Sequence, residues 1–371
     1  MFQPNKSIKS NFFRLKVALC RFFYTFVLTK IDKRMKKLTL LCLLLLVTHI
    51  SRSQELESIL LAARDDANKL TNSYINPAMK GLIYGMNSGW YHTAKAHKKL
   101  GFDITIGLNA SMIPSKDEFF DIANLGLTSI TTPGSSINPT VAGKGDGVML
   151  DVNATVQGQA VTASFEMPSG ISDDLPLGAV PTPALQLGVG LPYKFDVMLR
   201  LVPEVGSDDA KGKLFGVGLK KEITSIFGPV DKLPLHVSVL AAYTSMDVNY
   251  SIDGNAISGQ NQNAEFKLNA FTVQAIGSLN FPIINVYGGL GYSGGSSTLK
   301  MLGSYNLQYT PVVSGPTITE TVTDPLNLDF DASGFRTTLG IRLSLGFFKL
   351  FADYTLQEYN TLSAGMAFSF R

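Results

Sequence analysis

At 371 residues the chain is long enough for two average soluble domains or one large barrel. A composition 45% hydrophobic and only 16% charged, with 34 glycines and 10% aromatics, suits many strands joined by turns better than helices. The net charge of +3 comes from one end: residues 1–53 hold 11 of the 32 Lys/Arg and one (Asp32) of the 29 acids, so the remainder carries 21 bases against 28 acids, net −7, which gives nucleic acid nothing to bind.

Met35-Lys36-Lys37 is a short basic start, and Leu38 to Val47 is an apolar run too short to cross a bilayer as a helix. Ser51-Arg52-Ser53 then puts small residues at the −3 and −1 positions of a cut before Gln54. This order describes a secretory signal peptide over residues 35–53. Residues 1–34 read as a start assigned too early, with an unusually long signal region as the alternative. Both cysteines, Cys20 and Cys42, fall in the part to be removed, so the mature chain has no disulfide, thiolate metal site or cysteine nucleophile. Cys42 sits inside the apolar run without small residues before it, which argues against a lipid anchor.

From 55 to 70 the apolar residues Leu56, Ile59, Leu60, Ala63, Ala67 and Leu70 fall at helical spacing. A short amphipathic helix is expected, ended by a turn at Asn76-Pro77. Residues 54–82 would form a plug in a lumen or lie in the periplasm, and 83–371 would form the barrel.

Beyond residue 54 no stretch is long and apolar enough for a transmembrane helix; the chain alternates with period two instead. Ile104, Ile106 and Leu108 alternate with Asp103, Thr105 and Gly107. Leu185, Leu187 and Val189 do so before a turn at Pro192-Tyr193, and Val197, Leu199 and Leu201 after it. Phe215, Val217 and Leu219 oppose Gly216, Gly218 and Lys220. Phe335 to Leu345, a turn at Gly346-Phe347, Phe348 to Leu356, and a last strand from Thr361 to Arg371 complete the pattern. From Phe266 to Leu279 the apolar phase shifts, which suggests a bulge. A soluble β-sandwich also alternates, but the export signal, the Gly/Ser/Thr-rich polar faces and a terminal strand with aromatic Phe368 and Phe370 favour an outer-membrane β-barrel. Bacterial barrels resemble one another in that ending, an assembly signal read by the barrel-assembly machinery. Long connections at Thr131 to Asp146, Pro168 to Val180, Asp253 to Asn263 and Val313 to Asp331 alternate with tight turns. The expected fold is an all-β antiparallel transmembrane barrel of about 12–14 strands, even in number, with an N-terminal helical plug.

Sequence chemistry is thin. His92 and His97 are five apart and would face opposite sides of a strand, so they make no metal pair. His236 and Ser238 share a face, where a hydrolytic dyad is conceivable and two ordinary lumen positions are the plainer reading. No His-Glu-x-x-His or Gly-x-Ser-x-Gly motif occurs. No catalytic residue, metal or cofactor is assigned, and the chain is read as no enzyme. Arg200, Lys220, Arg336, Arg342, Lys349 and Asp353 are charges on lumen faces, there as filler, as contacts to the plug or as a polar conduit.

Asn72 to Met79 (NSYINPAM) resembles the Asn-Pro-Ala segment of the FadL-type long-chain fatty-acid and hydrocarbon transporters, and Gly190 to Val197 and Phe215 to Lys220 look like that family's middle strands. The style is that of FadL-like barrels from the Bacteroidota. The resemblance implies a 14-stranded barrel with a hatch, to which Asn76, Pro77 and Ala78 would belong, passing hydrophobic molecules through its wall. Passive uptake of small hydrophobic molecules such as fatty acids is therefore the leading expectation. A non-transporting scaffold or secretion accessory working through its loops is the alternative, and an outer-membrane lipid hydrolase the third. Expected partners are outer-membrane lipids, the assembly machinery and a hydrophobic ligand. An apolar cavity along the lumen would favour uptake; networks of Arg and acids packed across it would favour the scaffold.

Overall fold

The computed structural model describes residues 59–60, 62–207, 209–252, 258–309 and 316–370. The signal region, both cysteines and Arg371 lie outside the described residues. In chain order come helix α1 (Arg64–Met86) and strand β1 (Phe102–Met112), then five short strands: β2 (Phe119–Asp121), β3 (Ile130–Thr131), β4 (Ile137–Pro139), β5 (Met149–Val156) and β6 (Gln159–Glu166). The long strands follow as β7 (Ala179–Leu191), β8 (Phe195–Gly206), β9 (Ala210–Glu222), β10 (Leu235–Ser251), β11 (Gly259–Asn280) and β12 (Ile284–Tyr309). The chain finishes with β13 (Ile318–Thr323), β14 (Leu326–Leu345), β15 (Phe348–Leu356) and β16 (Thr361–Phe370).

Ten of these strands pair antiparallel in the order β11-β10-β9-β8-β7-β1-β16-β15-β14-β12, and β12 pairs back onto β11 to close a ring. The first and last strands meet, in register from Phe102 opposite Phe370 to Ser111 opposite Thr361. Closure leaves no unpaired edge, and antiparallel closure requires an even number. The ring has ten strands rather than the 12–14 expected. The alternating segments between 119 and 166 pair among themselves, as β2 with β4 and β3 with β5 and β6, and β13 only extends the β12–β14 hairpin past the wall. All four supposed loops are also partly strand: β4 lies within 131–146, β7 begins at Ala179, β11 begins at Gly259, and β13 and the start of β14 fall within 313–331.

The outward positions are the apolar ones. Ile106 and Leu108 on β1, Leu185 on β7, Phe215 on β9, Phe271 and Val273 on β11, and Phe335, Leu339 and Ile341 on β14 are all exposed on the outer wall. Their neighbours Asp103, Thr105, Asn109, Gln186, Thr272, Gln274, Arg336 and Thr338 are buried inside. A continuous exposed apolar belt of this extent is a liability in water and a necessity in hydrocarbon. No described helix is long and apolar enough to cross a membrane; the strands do so. The protein is a bacterial outer-membrane β-barrel.

The irregular phase of β11 is not a bulge at 266–279. That stretch pairs without a break to both neighbours, and its register shift lies earlier, between Gln260 and Asn263. Apolar Leu268, Ala270 and Ile276 point inward because an apolar filling awaits them.

That filling is the N-terminal segment. Helix α1 runs 23 residues, straight through Asn76-Pro77, where a turn was expected. Proline removes one helical hydrogen bond and ends most helices in water. Here contacts on every side hold the helix, and residues 81–88 are all buried. It starts beside Asp324 and Pro325, where β13 gives way to β14, and its C-terminal end reaches Gly294 in the middle of β12. Residues 87–101 continue to the far end, where Leu100 donates to the Gly190 carbonyl before β1 turns back. The chain thus crosses the whole lumen. One end of the barrel carries the tight turns Pro192–Lys194 and Gly346-Phe347; the other carries the long excursion 113–178. We call them the turn end and the loop end.

Candidate functional site

The lumen is where this chain concentrates its buried charge, at three levels. At the loop end the excursion 113–178 folds into a cap. Ile130 on β3, Leu150 and Val152 on β5, and Val161 and Phe165 on β6 pack with Leu70 and Tyr74 of α1 and with Met301, Tyr305 and Leu307 of β12. Asp66, in the first turn of α1, pins the cap to the helix. Its Oδ2 accepts from the backbone N–H groups of Ser129 (2.6 Å) and Thr128 (2.8 Å) and from both hydroxyls. Burial alone would push this carboxyl up, but these donors outweigh it and hold it below the usual range. Further along α1, Lys80 and Tyr84 both reach Glu358 in the β15–β16 connection, at 3.2 and 2.9 Å.

At the middle level the last carbonyls of α1 face two arginines. Arg200 on β8 donates to the carbonyls of Met86 (3.1 Å) and Ser88 (2.9 Å) and to Gln186 Oε1 (3.1 Å). Arg336 on β14 donates to the carbonyl of Asn87 (2.8 Å) and to Ser88 Oγ (3.1 Å). A helix C-terminus presents unpaired carbonyls and partial negative charge, so a cation there is favourable. Burial of two guanidinium groups is tolerable because they find a fixed set of acceptors. Asn109 of β1 adds a bond to the Gly85 carbonyl. Trp90 lies against Arg200, over Gly216 and Gly218: a Cβ at either glycine would come within 3.2 Å of the indole.

At the turn end the segment 92–97 is held by a chain of charges. Arg342 donates to His92 Nδ1 (3.0 Å), which leaves the Nε2 proton to point at Asp103 (3.3 Å). The same Asp103 oxygen meets His97 Nε2 (3.3 Å); His97 Nδ1 meets Asp196 (3.1 Å), and Lys220 completes the line at 2.8 Å. Burial pushes the His97 imidazole down, but its two carboxylate partners outweigh that and raise it to about 9, so both its N–H groups donate at neutral pH. Glu222 accepts from the Ala96 N–H (2.8 Å) and from His236 (3.0 Å).

The structure therefore brings Arg200, Lys220, Arg336 and Arg342 onto the central segment. It places Asp353 against Tyr287 (2.8 Å), while Lys349 bonds the Gly346 carbonyl at the turn end. Asn76, Pro77 and Ala78 lie within α1. Phe370 stacks on Phe102 at the seam, and Phe368 packs on Phe348. The view of His92 and His97 as facing apart fails because they are not on a strand: the irregular backbone of 87–101 turns both to one carboxylate. Ser238 is buried and donates to the Ala94 carbonyl, and His236 is engaged by Glu222, so they form no nucleophile–base pair. Among the described residues no three His, Cys, Asp or Glu side chains are grouped to hold a metal. Asp66, Trp90, Asp103, Asp196 and Glu222 were not singled out by sequence: the partners of Asp66, Trp90, Asp196 and Glu222 lie far away in the chain, and Asp103 meets His92 and His97 only through the irregular backbone between them.

Residues 35–370 match the profile of a family described as "Family of unknown function (DUF6588)". No curated protein matches the chain. Among solved structures it is similar to the attachment invasion locus protein Ail of Yersinia pestis, at 8% identity and a TM-score of 0.25, over 74% of this chain and all of that one. It is similar to the translocator domain of the autotransporter NalP from Neisseria meningitidis, at 13% identity and 0.25, over 74% and 90%. The outer-membrane protease OmpT from Escherichia coli stands at 9% and 0.25, over 74% and 97%. At such values the likeness adds nothing to a barrel already established by its own strand register.

Proposed function

We propose a function for the DUF6588 family, to which this chain belongs: a sealed outer-membrane barrel that holds a folded cap at its loop end and works through that cap as a scaffold. One observation carries the reading, namely that the chain's own segment 64–101 fills the lumen from end to end and is bonded to the wall at three levels. Leu70, Ile83, Tyr84, Trp90, Leu240, Leu268, Ile276 and Tyr287 are essentially without exposure, which supports a packed axis over a conduit. Short turns face the periplasm and long excursions the outside in barrels of this kind, which puts the cap on the cell surface. Strand β16, with Phe368 and Phe370, supplies the terminal strand an assembly machinery would read.

Uptake of hydrophobic molecules, which the FadL resemblance implies, finds no support in the packed axis, which gives a ligand no room on its way to the wall. The two readings separate in a planar bilayer. Purified protein should hold the bilayer at its leak level, with at most brief openings. A steady conductance, or saturable entry of a radiolabelled long-chain fatty acid into proteoliposomes, would overturn the scaffold reading.

A further inference from the structure

The sheet of the cap ends in an open edge. Strand β6 pairs with β5 alone, the strand order being β3-β5-β6. The two strands meet across Gln157 and Gly158, whose φ of 51° and 80° form the tight turn of a two-residue hairpin. Val156 and Gln159 flank that turn as a hydrogen-bonded pair, and the register runs unbroken from there to Met149 opposite Glu166. The bond from the Met167 N–H to the Val148 carbonyl (2.9 Å) keeps the same phase. Gln159, Val161, Ala163 and Phe165 therefore bond to β5, while Ala160, Thr162, Ser164 and Glu166 turn their N–H and C=O groups away from it. Among the described residues nothing donates to or accepts from those outward backbone groups.

Folded proteins blunt such an edge with proline, lysine, a bulge or a covering loop. Gln159–Glu166 (QAVTASFE) has no Pro, Gly, Lys or Arg and no register shift. One of its faces is fixed by the cap core, where Val161 and Phe165 are buried. The other is small and polar, with Thr162 and Ser164 tied to Asn153 (3.2 Å) and Asp151 (2.5 Å) of β5. Between its ends that face offers an incoming strand nothing bulkier than threonine. Charge selects the occupant. Residues 113–178 carry eight acids against two lysines, Lys116 and Lys144, net −6. None of the acids is buried; Asp146, Glu166, Asp173 and Asp174 are exposed, and Lys144 already pairs with Asp173 at 2.7 Å. We infer that β6 is the acceptor edge for an extended, basic segment of a partner protein. The segment adds to the sheet as a further strand, with alternate apolar side chains continuing the Val161 and Phe165 face and Lys or Arg side chains meeting the acidic one. A second copy of this chain is the poorer occupant, because it would set one acidic cap against another. The inference rests on the reading of the cap as the working surface.

An eight-residue peptide of alternating valine and lysine, acetylated and amidated, matches β6 in length and serves as the probe. Carrying a fluorophore and titrated with the whole protein in mild detergent, it should gain anisotropy to saturation. The same peptide with glutamate for lysine should bind about tenfold more weakly or worse. Hydrogen exchange over 159–166 should slow when the basic peptide is bound. Thr162→Pro removes an edge N–H without touching a bond to β5 and should weaken binding about tenfold. Ala160→Lys keeps the backbone whole, sets a like charge beside the incoming lysines and should weaken binding as well. Heat-modifiable gel mobility verifies that each variant folds. Binding that persists in both variants, equal binding of the two peptides, or unchanged exchange over 159–166 overturns the proposal. A steady bilayer conductance with the basic peptide still bound at β6 would sink the sealed-barrel reading alone. A silent barrel that binds neither peptide would sink this inference alone.

Discussion

The guanidinium carbon of Arg200 lies 3.9 Å from the centre of the Trp90 ring, while the same group donates to the carbonyls of Met86 and Ser88. One side chain therefore ends the helix and fixes the residue that follows it. Arg200→Ala strips three buried acceptors of their donor. At about 1.5–3 kcal/mol for a bond to a charged group, and less than additively, a loss of ~3 kcal/mol is expected. Denaturant unfolding in detergent should show it, and bilayer recordings should show longer openings than wild type gives. Arg200→Lys should recover only part, because an ammonium lacks the planar guanidinium that reaches the two carbonyls and Gln186 together and stacks on Trp90.

Trp90 is the chain's one tryptophan and reports directly on the central level. A Cβ at Gly218 would stand 3.1 Å from its ring and from the Met198 methyl. Gly218→Val should push the indole out of its slot and shift its fluorescence to the red, with Gly218→Ala intermediate. An unmoved emission maximum in the valine variant would show that the slot is wider than drawn.

His97 gives the turn end a pH dependence whose sign follows from its raised value of about 9. A raised histidine stabilises fully below its unfolded value of 6.5, and the contribution is lost as pH rises through about 9. Facing it are Asp103 of β1, Asp196 of β8 and, through them, His92 and Lys220. Hydrogen exchange of residues 92–100, corrected for intrinsic rates, should stay slow to pH 6.5 and accelerate toward pH 9.5. In His97→Gln the corrected rate should be flat over that interval.

Asp66 predicts the opposite trend at the other end. Its carboxyl is held below the usual range, so its contribution is present above the unfolded value and fades as pH falls through the folded one. Asp66→Ala leaves the Ser129 and Thr128 N–H groups without their acceptor, at a cost of about 1–3 kcal/mol. Limited proteolysis should cut within 113–178 faster in the variant, with the barrel fragment intact. Equal cleavage would mean the cap is held by its apolar core alone.

What the sequence made legible is the wall. Alternation marked the outward faces of β1, β7, β8, β9, β14, β15 and β16 residue by residue, because a single apolar solvent outside enforces period two. It could not count the strands of the ring, since β5 and β6 alternate just as well while packing on a cap. The helix was read too short because Pro77 breaks helices that stand in water, and this one does not. The lumen contacts were hidden for a different reason. His92, His97 and Asp103 meet through a backbone with no period at all, and Gly216 and Gly218 announce only that something needs room, not that it is Trp90.

A chain that enters the barrel at the capped end and leaves at the other as β1 is a thread through a bead, with a folded body at one side and the bead's own rim at the other. Such a thread is bonded at both ends and in the middle, so any clear passage demands that contacts at all three levels break together. The same geometry bears on birth. The seam between Phe102 and Phe370 shuts around chain lying along the axis, which makes residues 64–101 a mandrel on which the rest is wound.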